Sequence, residues 1–166
     1  QMVGSGTYVA EGVQQALADM NHGEAVLSVS QAELMAARVV LEPALVDMVI
    51  GNATAADFAR MDECNHRAEG ATTLEDFEQW DAALHEAVAA AAHNSFISRV
   101  FQLMSAARSQ GEWGMLKRRS ATPERRLEYQ HEHRELVAAL KDRDGPRARA
   151  ACLAHLLHVR TNMLGH

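Results

Sequence analysis

Asp81 and His85 stand four residues apart in the stretch WDAALHEAVAAAAHN, residues 80–94. On a helix that spacing puts both side chains on one face. Phe77, Leu84 and Val88 flank the pair, so the face is the apolar one. A buried carboxylate is costly unless a cation, several donors or a metal ion meets it. Taken alone, the pair reads more readily as a structural Asp–His hydrogen bond than as a metal site. Two further histidines strengthen the metal reading. His133 runs in phase with Leu136, Val137 and Leu140, and His155 with Cys152, Val159 and Met163. Three inward histidines and one inward aspartate, drawn from three helices, are ligand types that a borderline divalent ion prefers. Hydrogen-bonded core histidines remain the plainer alternative, and spacing leaves both open.

Arg38 is the other singular residue, set among Leu34, Ala37, Leu41 and Leu45. It either pairs with Glu42, one turn on, and snorkels to water, or reaches inward to grip a carboxylate in a bidentate fork. Asn94 follows the alanine-rich helix and either caps the next helix or reaches the same cavity. His158, one turn beyond His155, can approach that cavity from behind. The Glu128–His131 pair has the Glu-x-x-His spacing of di-iron bundles but lacks a second copy. His131 and Glu135 do not form the zinc-protease pattern, which needs histidines four apart. No nucleophile is positioned beside a base. Glu86, adjacent to His85, should point away from the cluster.

Several helices must bring these residues together. Ser30 with Glu33, Thr54 with Asp57 and Thr73 with Asp76 each place a capping hydroxyl three residues ahead of an acid. Thr122-Pro123 and Asp144-Gly145-Pro146 start two more helices. Between these signals apolar residues recur with helical period. One stripe is Leu34, Leu41, Leu45, Met48 and Val49; another is Phe77, Trp80, Leu84, Val88 and Ala91. Helices are expected near 30–51, 54–69, 73–92, 94–110, 122–142 and 145–164, with a shorter one near 10–21. Pro43 should kink the first long helix or mark a bend. With no strand pattern after residue 10, the expected fold is all-α, an antiparallel bundle of six to seven helices.

Bulk properties bound the function. A chain of 166 residues, 48% hydrophobic and 23% charged, suits one domain with its own core. No apolar run approaches the roughly 20 residues that span a bilayer. Nothing near Gln1 looks like a signal peptide, so a cytoplasmic protein, or a piece of a longer one, is expected. A net charge of -6 disfavours binding of nucleic-acid backbones by this part of the chain. Cys64 and Cys152 lack zinc-finger spacing and read as ordinary buried thiols. Gly4 to Val9 lacks the lysine of a phosphate loop and reads as a flexible or strand-like leader.

Together these residues resemble a known family. Ala37-Arg38-Val39-Val40-Leu41-Glu42-Pro43 is similar to the opening signature of the FCD ligand-binding domain, the all-helical C-terminal effector domain of FadR-type GntR transcription regulators. Asp81-Ala-Ala-Leu-His85 with Ala91-Ala-His-Asn94 resembles its central motif. Glu132-His133 before Leu136-Val-Ala-Ala-Leu140 resembles the next, and Arg143-Asp144 leading to His155-Leu156 the last. The fragments occur in the family's order across nearly the whole chain. Leu84 departs from the phenylalanine often found before the histidine.

The resemblance implies Asp81, His85, His133 and His155 as ligands of a divalent metal, zinc first, with nickel, iron or manganese as options. It implies Arg38 as an effector-binding residue, with Asn94 a second candidate. Effectors in such domains are small carboxylates: sugar acids, hydroxy acids or dicarboxylates. Residues 1–10 would be the remnant of a winged-helix wing and linker, and 11–166 the effector domain. A homodimer is implied, with DNA bound through the absent N-terminal domain and no membrane partner. The expectation is therefore a sensor, not an enzyme. Its rival is a metal-dependent hydrolase or oxygenase on the same bundle.

Overall fold

Six helices carry the described part of the chain, residues 29–108 and 120–165 of this computed structural model. They are α1 (Gln31–Asn52), α2 (Ala55–Glu69), α3 (Leu74–Ala90), α4 (Ser95–Arg108), α5 (Pro123–Lys141) and α6 (Gly145–Leu164). The all-α expectation holds, and the bounds fall close to those read from caps and periodicity. The leader at 1–10 and the short helix near 10–21 lie outside the described residues.

Local chemistry explains where each helix starts. Ser30 and Glu33 form a reciprocal capping box on α1, the Glu33 N–H donating to Ser30 Oγ at 3.2 Å and the Ser30 N–H to Glu33 Oε2 at 2.9 Å. Thr54 and Asp57 repeat the device on α2. Thr73, Thr122 and Asp144 cap α3, α5 and α6, the last two with proline in the first turn. Gly165 stops α6 at φ 82, a conformation that suits glycine. Arg143, at φ 53 in the tight α5–α6 turn, sends its guanidinium to the end of α1. There it donates to the carbonyls of Ile50 and Ala53, supplying the cation that the last turn of α1 lacks.

The helices stack in pairs: α2 on α3, α5 on α6 and α1 on α6, with α4 resting on α3 and α2 also touching α5. Pro43 lies inside α1, which runs unbroken from Gln31 to Asn52. The expected α1 stripe needs one correction. Leu41 is 37% exposed, whereas Arg38 and Glu42 are buried among Met35, Leu45 and Val46. The helix turns polar groups, not Leu41, toward its neighbours.

Those polar groups divide the core. A larger apolar cluster holds Leu45, Val49, Leu84, Leu136, Leu140 and Leu156; a smaller one holds Leu34, Met35, Phe77, Tyr129, Val159 and Met163. On α3, Asp81 lies between Phe77 and Leu84, one from each cluster. On α5, His133 lies between Tyr129 and Leu136; on α6, His155 lies between Cys152 and Val159. Each fully buried Leu or Phe contributes about 1.5–3 kcal/mol of transfer free energy. The two apolar layers thus hold a polar layer at one depth in the bundle. Among the described residues, no helix is long and apolar enough to cross a membrane.

Candidate metal and effector site

The polar layer contains Arg38 and Glu42 from α1, Asp81 and His85 from α3, His133 from α5 and His155 from α6, none more than 6% exposed. Arg38 Nε donates to Glu42 Oε1 at 2.5 Å, and Glu42 Oε2 lies 2.8 Å from His85 Nδ1. A carboxylate only accepts and a guanidinium only donates, which fixes the tautomer of His85. Its Nδ1 carries the proton toward Glu42, and its Nε2 lone pair accepts from Arg38 Nη2 at 3.2 Å. Burial lowers the His85 pKa to about 4 despite Glu42, with Arg38 adding to the effect, so the ring is neutral at pH 7. Burial works to raise the Glu42 carboxyl, but Arg38 and His85 beside it win and hold it well below the usual range.

A second carboxylate–histidine pair faces the first. His155 Nδ1 donates to Glu132 Oε2 at 2.7 Å, and His158 Nδ1 donates to Glu132 Oε1 at 2.6 Å. Burial raises the Glu132 carboxyl, and these two histidine hydrogen bonds more than offset it, keeping it below its ordinary value. His155 therefore turns its Nε2 inward. That atom lies 3.1 Å from His133 Nε2.

The donor set fits a divalent cation. Two nitrogens bound to one ion at about 2.1 Å, at angles of 90–110°, lie about 3.0–3.4 Å apart. The His133–His155 separation falls in that range. The ligand atoms of His85, His133 and His155 all lie within 4.8 Å of one another. To bind an ion through Nε2, His85 must give up Arg38. Carboxylates on the outer nitrogens of His85 and His155 are the arrangement that orients metal-bound imidazoles and raises their basicity. Such an ion would supply positive charge and open coordination positions for oxygen ligands. Burial, reinforced by Glu42, pushes the thiol of nearby Cys152 up to about 12.

Sequence-predicted residues fare differently. The three histidines converge. Asp81 reaches the edge of the cluster, with Oδ1 3.7 Å from His133 Nε2, while its Oδ2 accepts from Arg108 Nη2 at 2.5 Å. Arg38 is inside the bundle and engaged with Glu42, so both of its sequence readings are partly met: it pairs with its neighbour, yet it does so in the core. Asn94 caps α4, its Oδ1 accepting from the N–H groups of Phe96 and Ile97 at 3.1 and 3.2 Å. His158 stands behind His155, as expected of an outer partner. Glu86, expected to point away, is exposed but helps line the cavity beside the cluster.

That cavity measures about 10 Å³ and is lined by Arg38, Glu42, His85, Met104, Ser105 and Arg108 among others. It has room for about one water. Sequence reasoning missed Arg108 altogether and gave Glu132 no role. Arg108 stands seven residues after buried Phe101, two turns along the same face of α4, and that phase was its only signal.

Comparison with known proteins agrees with this architecture. The Uxu operon transcriptional regulator of Escherichia coli (strain K12) is 26% identical over 165 residues, an alignment that covers 97% of this chain and 64% of the regulator. E. coli McbR/YncC shares the fold with a TM-score of 0.70 at 19% identity, over 93% of this chain and 79% of that one. Streptococcus agalactiae GntR does so with a TM-score of 0.61 at 19% identity, over 76% and 56%. The model of the FCD domain family matches residues 33–158, which contain every polar residue of the layer described above, and the chain belongs to that family.

Proposed function

We propose that this chain is the effector-sensing domain of a GntR-type transcription regulator, not an enzyme. His85, His133 and His155 would hold a divalent metal, with Asp81 at the edge and zinc the first candidate. A small carboxylate (a sugar acid, hydroxy acid or dicarboxylate) would meet the metal and Arg38. The observation that carries the reading is the pair of inward Nε2 atoms 3.1 Å apart on His133 and His155, with a carboxylate anchoring the outer nitrogen of His155. The curated relative is named as an operon regulator, and this chain spans 64% of its length, which leaves room there for a separate DNA-binding part. Effector binding would reorder the helices around the polar layer and shift the placement of two DNA-binding heads in a cytoplasmic homodimer.

The test is metal content by mass spectrometry of the purified domain, with thermal melts of wild type and His133→Ala in zinc, nickel and manganese. Stoichiometric metal in the wild type, lost together with metal-dependent stabilisation in His133→Ala, is expected. A metal-free wild type whose melting ignores all three ions sinks the metal reading. The rival hydrolase or oxygenase reading draws support from one observation, Glu86 at the cavity rim. Turnover of an ester or another small substrate that vanishes in Glu86→Gln would favour it.

A further inference from the structure

Phe96, Val100, Leu103 and Ala107 recur along α4 at steps of four, three and four residues, the spacing that draws one apolar seam down a helix. Phe96 is 74% and Leu103 56% exposed, and Val100 is half-buried. Apolar side chains exposed singly are ordinary, but a repeated seam marks a surface built for contact. Among the described helices α4 rests mainly on α3, and its buried side carries Phe101 instead. Arg99 stands exposed beside the seam, and α4 contains no acidic residue. At the far end Ala107 packs on the cluster that holds Leu34 and Met35, from the first turns of α1. The seam therefore ends where α1 begins.

We propose that residues 10–21 of this same chain lie along the seam as a helix. They precede α1 and lie outside the described residues. Ala10, Val13, Leu17 and Met20 recur there at steps of three, four and three, which matches the seam in period and length. Residues 1–28 carry Glu11, Asp19 and Glu24 and no lysine or arginine, a charge opposite to that of Arg99. Residues 109–119, which follow α4, carry Lys117, Arg118 and Arg119 against Glu112 and suit the seam less well. Reach is ample: residues 22–29 span up to about 26 Å when extended, and a helix as long as α4 measures about 21 Å. A tethered segment also meets the seam at an effective concentration that a free second copy does not reach. Another side of α4 lines the cavity with Met104 and Ser105, so docking joins that cavity to the segment ahead of the bundle. That consequence rests on the sensing role proposed above; the docking itself does not.

Thermal melts of the full chain compare wild type, Leu17→Glu, Leu103→Glu and the double variant. Each single change should lower Tm by about 4–8 °C, the scale for one large apolar side chain returned to water. The double variant should fall no further than the larger single loss, because both changes break one contact. A second arm carries Leu17→Cys and Leu103→Cys together and treats the chain with a short bismaleimide, to which the buried Cys64 and Cys152 are shielded. Linkage within one chain is expected, at a yield independent of protein concentration. Leu103 is exposed on the bundle, so its replacement should leave the helical circular dichroism intact. The inference is overturned if Leu17→Glu leaves Tm where it was, or if the two losses add. It is overturned equally if no linkage forms, or if linkage runs only between chains, which would make a second copy the occupant. Neither arm reads metal or acid binding, so failure here leaves the proposed function standing.

Discussion

Glu42 and Glu132 do the same thing to two histidines in different surroundings. Each accepts from an Nδ1, and each turns an Nε2 toward the centre of the polar layer. Glu42 is 6% exposed and shares its charge with Arg38, which is itself buried. Glu132 is 26% exposed and divides its oxygens between His155 and His158. A buried carboxylate needs a full countercharge, because water cannot supply the compensation. A partly wet one is sustained by water and imidazole N–H donors. The site therefore has one wall built by ion pairing and one built by hydrogen bonds that reach toward solvent. The first should resist change as a block, and the second should tune what the histidines bind.

Glu42→Gln attacks the first wall. It keeps the shape but leaves Arg38 without its charged partner in the core, so the expected cost is about 3–5 kcal/mol in chemical denaturation. A loss below about 1 kcal/mol, the level of an exposed pair, would erase the proposed contrast between the walls.

Glu132→Gln attacks the second. Stability should fall by only about 1–2 kcal/mol, because one charge-assisted contact is weakened and water remains at hand. Metal affinity should fall by about 10- to 100-fold, since the carboxylate that orients His155 is gone. The two variants thus separate stability from binding. If Glu132→Gln costs as much stability as Glu42→Gln, exposure is not what distinguishes the walls.

Much of this was legible in the sequence, for definable reasons. Caps such as Ser30 and Thr54 act within one turn, so local spacing finds them. His133 and His155 share a phase with leucines and valines that the bundle buries, so periodicity places them inside. The pairing of Glu42 with Arg38 was legible, but its burial against His85 escaped because apolar patterning assigns the inner face by hydrophobicity, and α1 turns a polar ion pair inward while Leu41 faces out. Arg108 escaped for a related reason. On α4 Phe96 and Leu103 are 74% and 56% exposed while Phe101 is buried, so hydrophobicity does not single out the inner face of that helix. Only the position of α4 against α3 reveals which side looks at Asp81.

Asn94 supplies the smallest and sharpest test, because sequence left it between two roles. Its side-chain oxygen accepts from two N–H groups of the first turn of α4, donors that have no partner within the helix. Asn94→Ala should therefore cost about 1 kcal/mol, typical of a lost cap, read from the shift in denaturation midpoint. Asn94→Asp and Asn94→Ser, which can also cap, should recover most of it. Metal affinity should be unchanged in all three, because the cap spends the oxygen that a ligand in the site would need. The walls of the site lie on α1, α3, α5 and α6, and α4 joins them through Arg108 at its far end. A change at Asn94 that altered metal affinity as strongly as Glu132→Gln would mean that the start of α4 sets the geometry of the polar layer, and the contrast would then need a third wall.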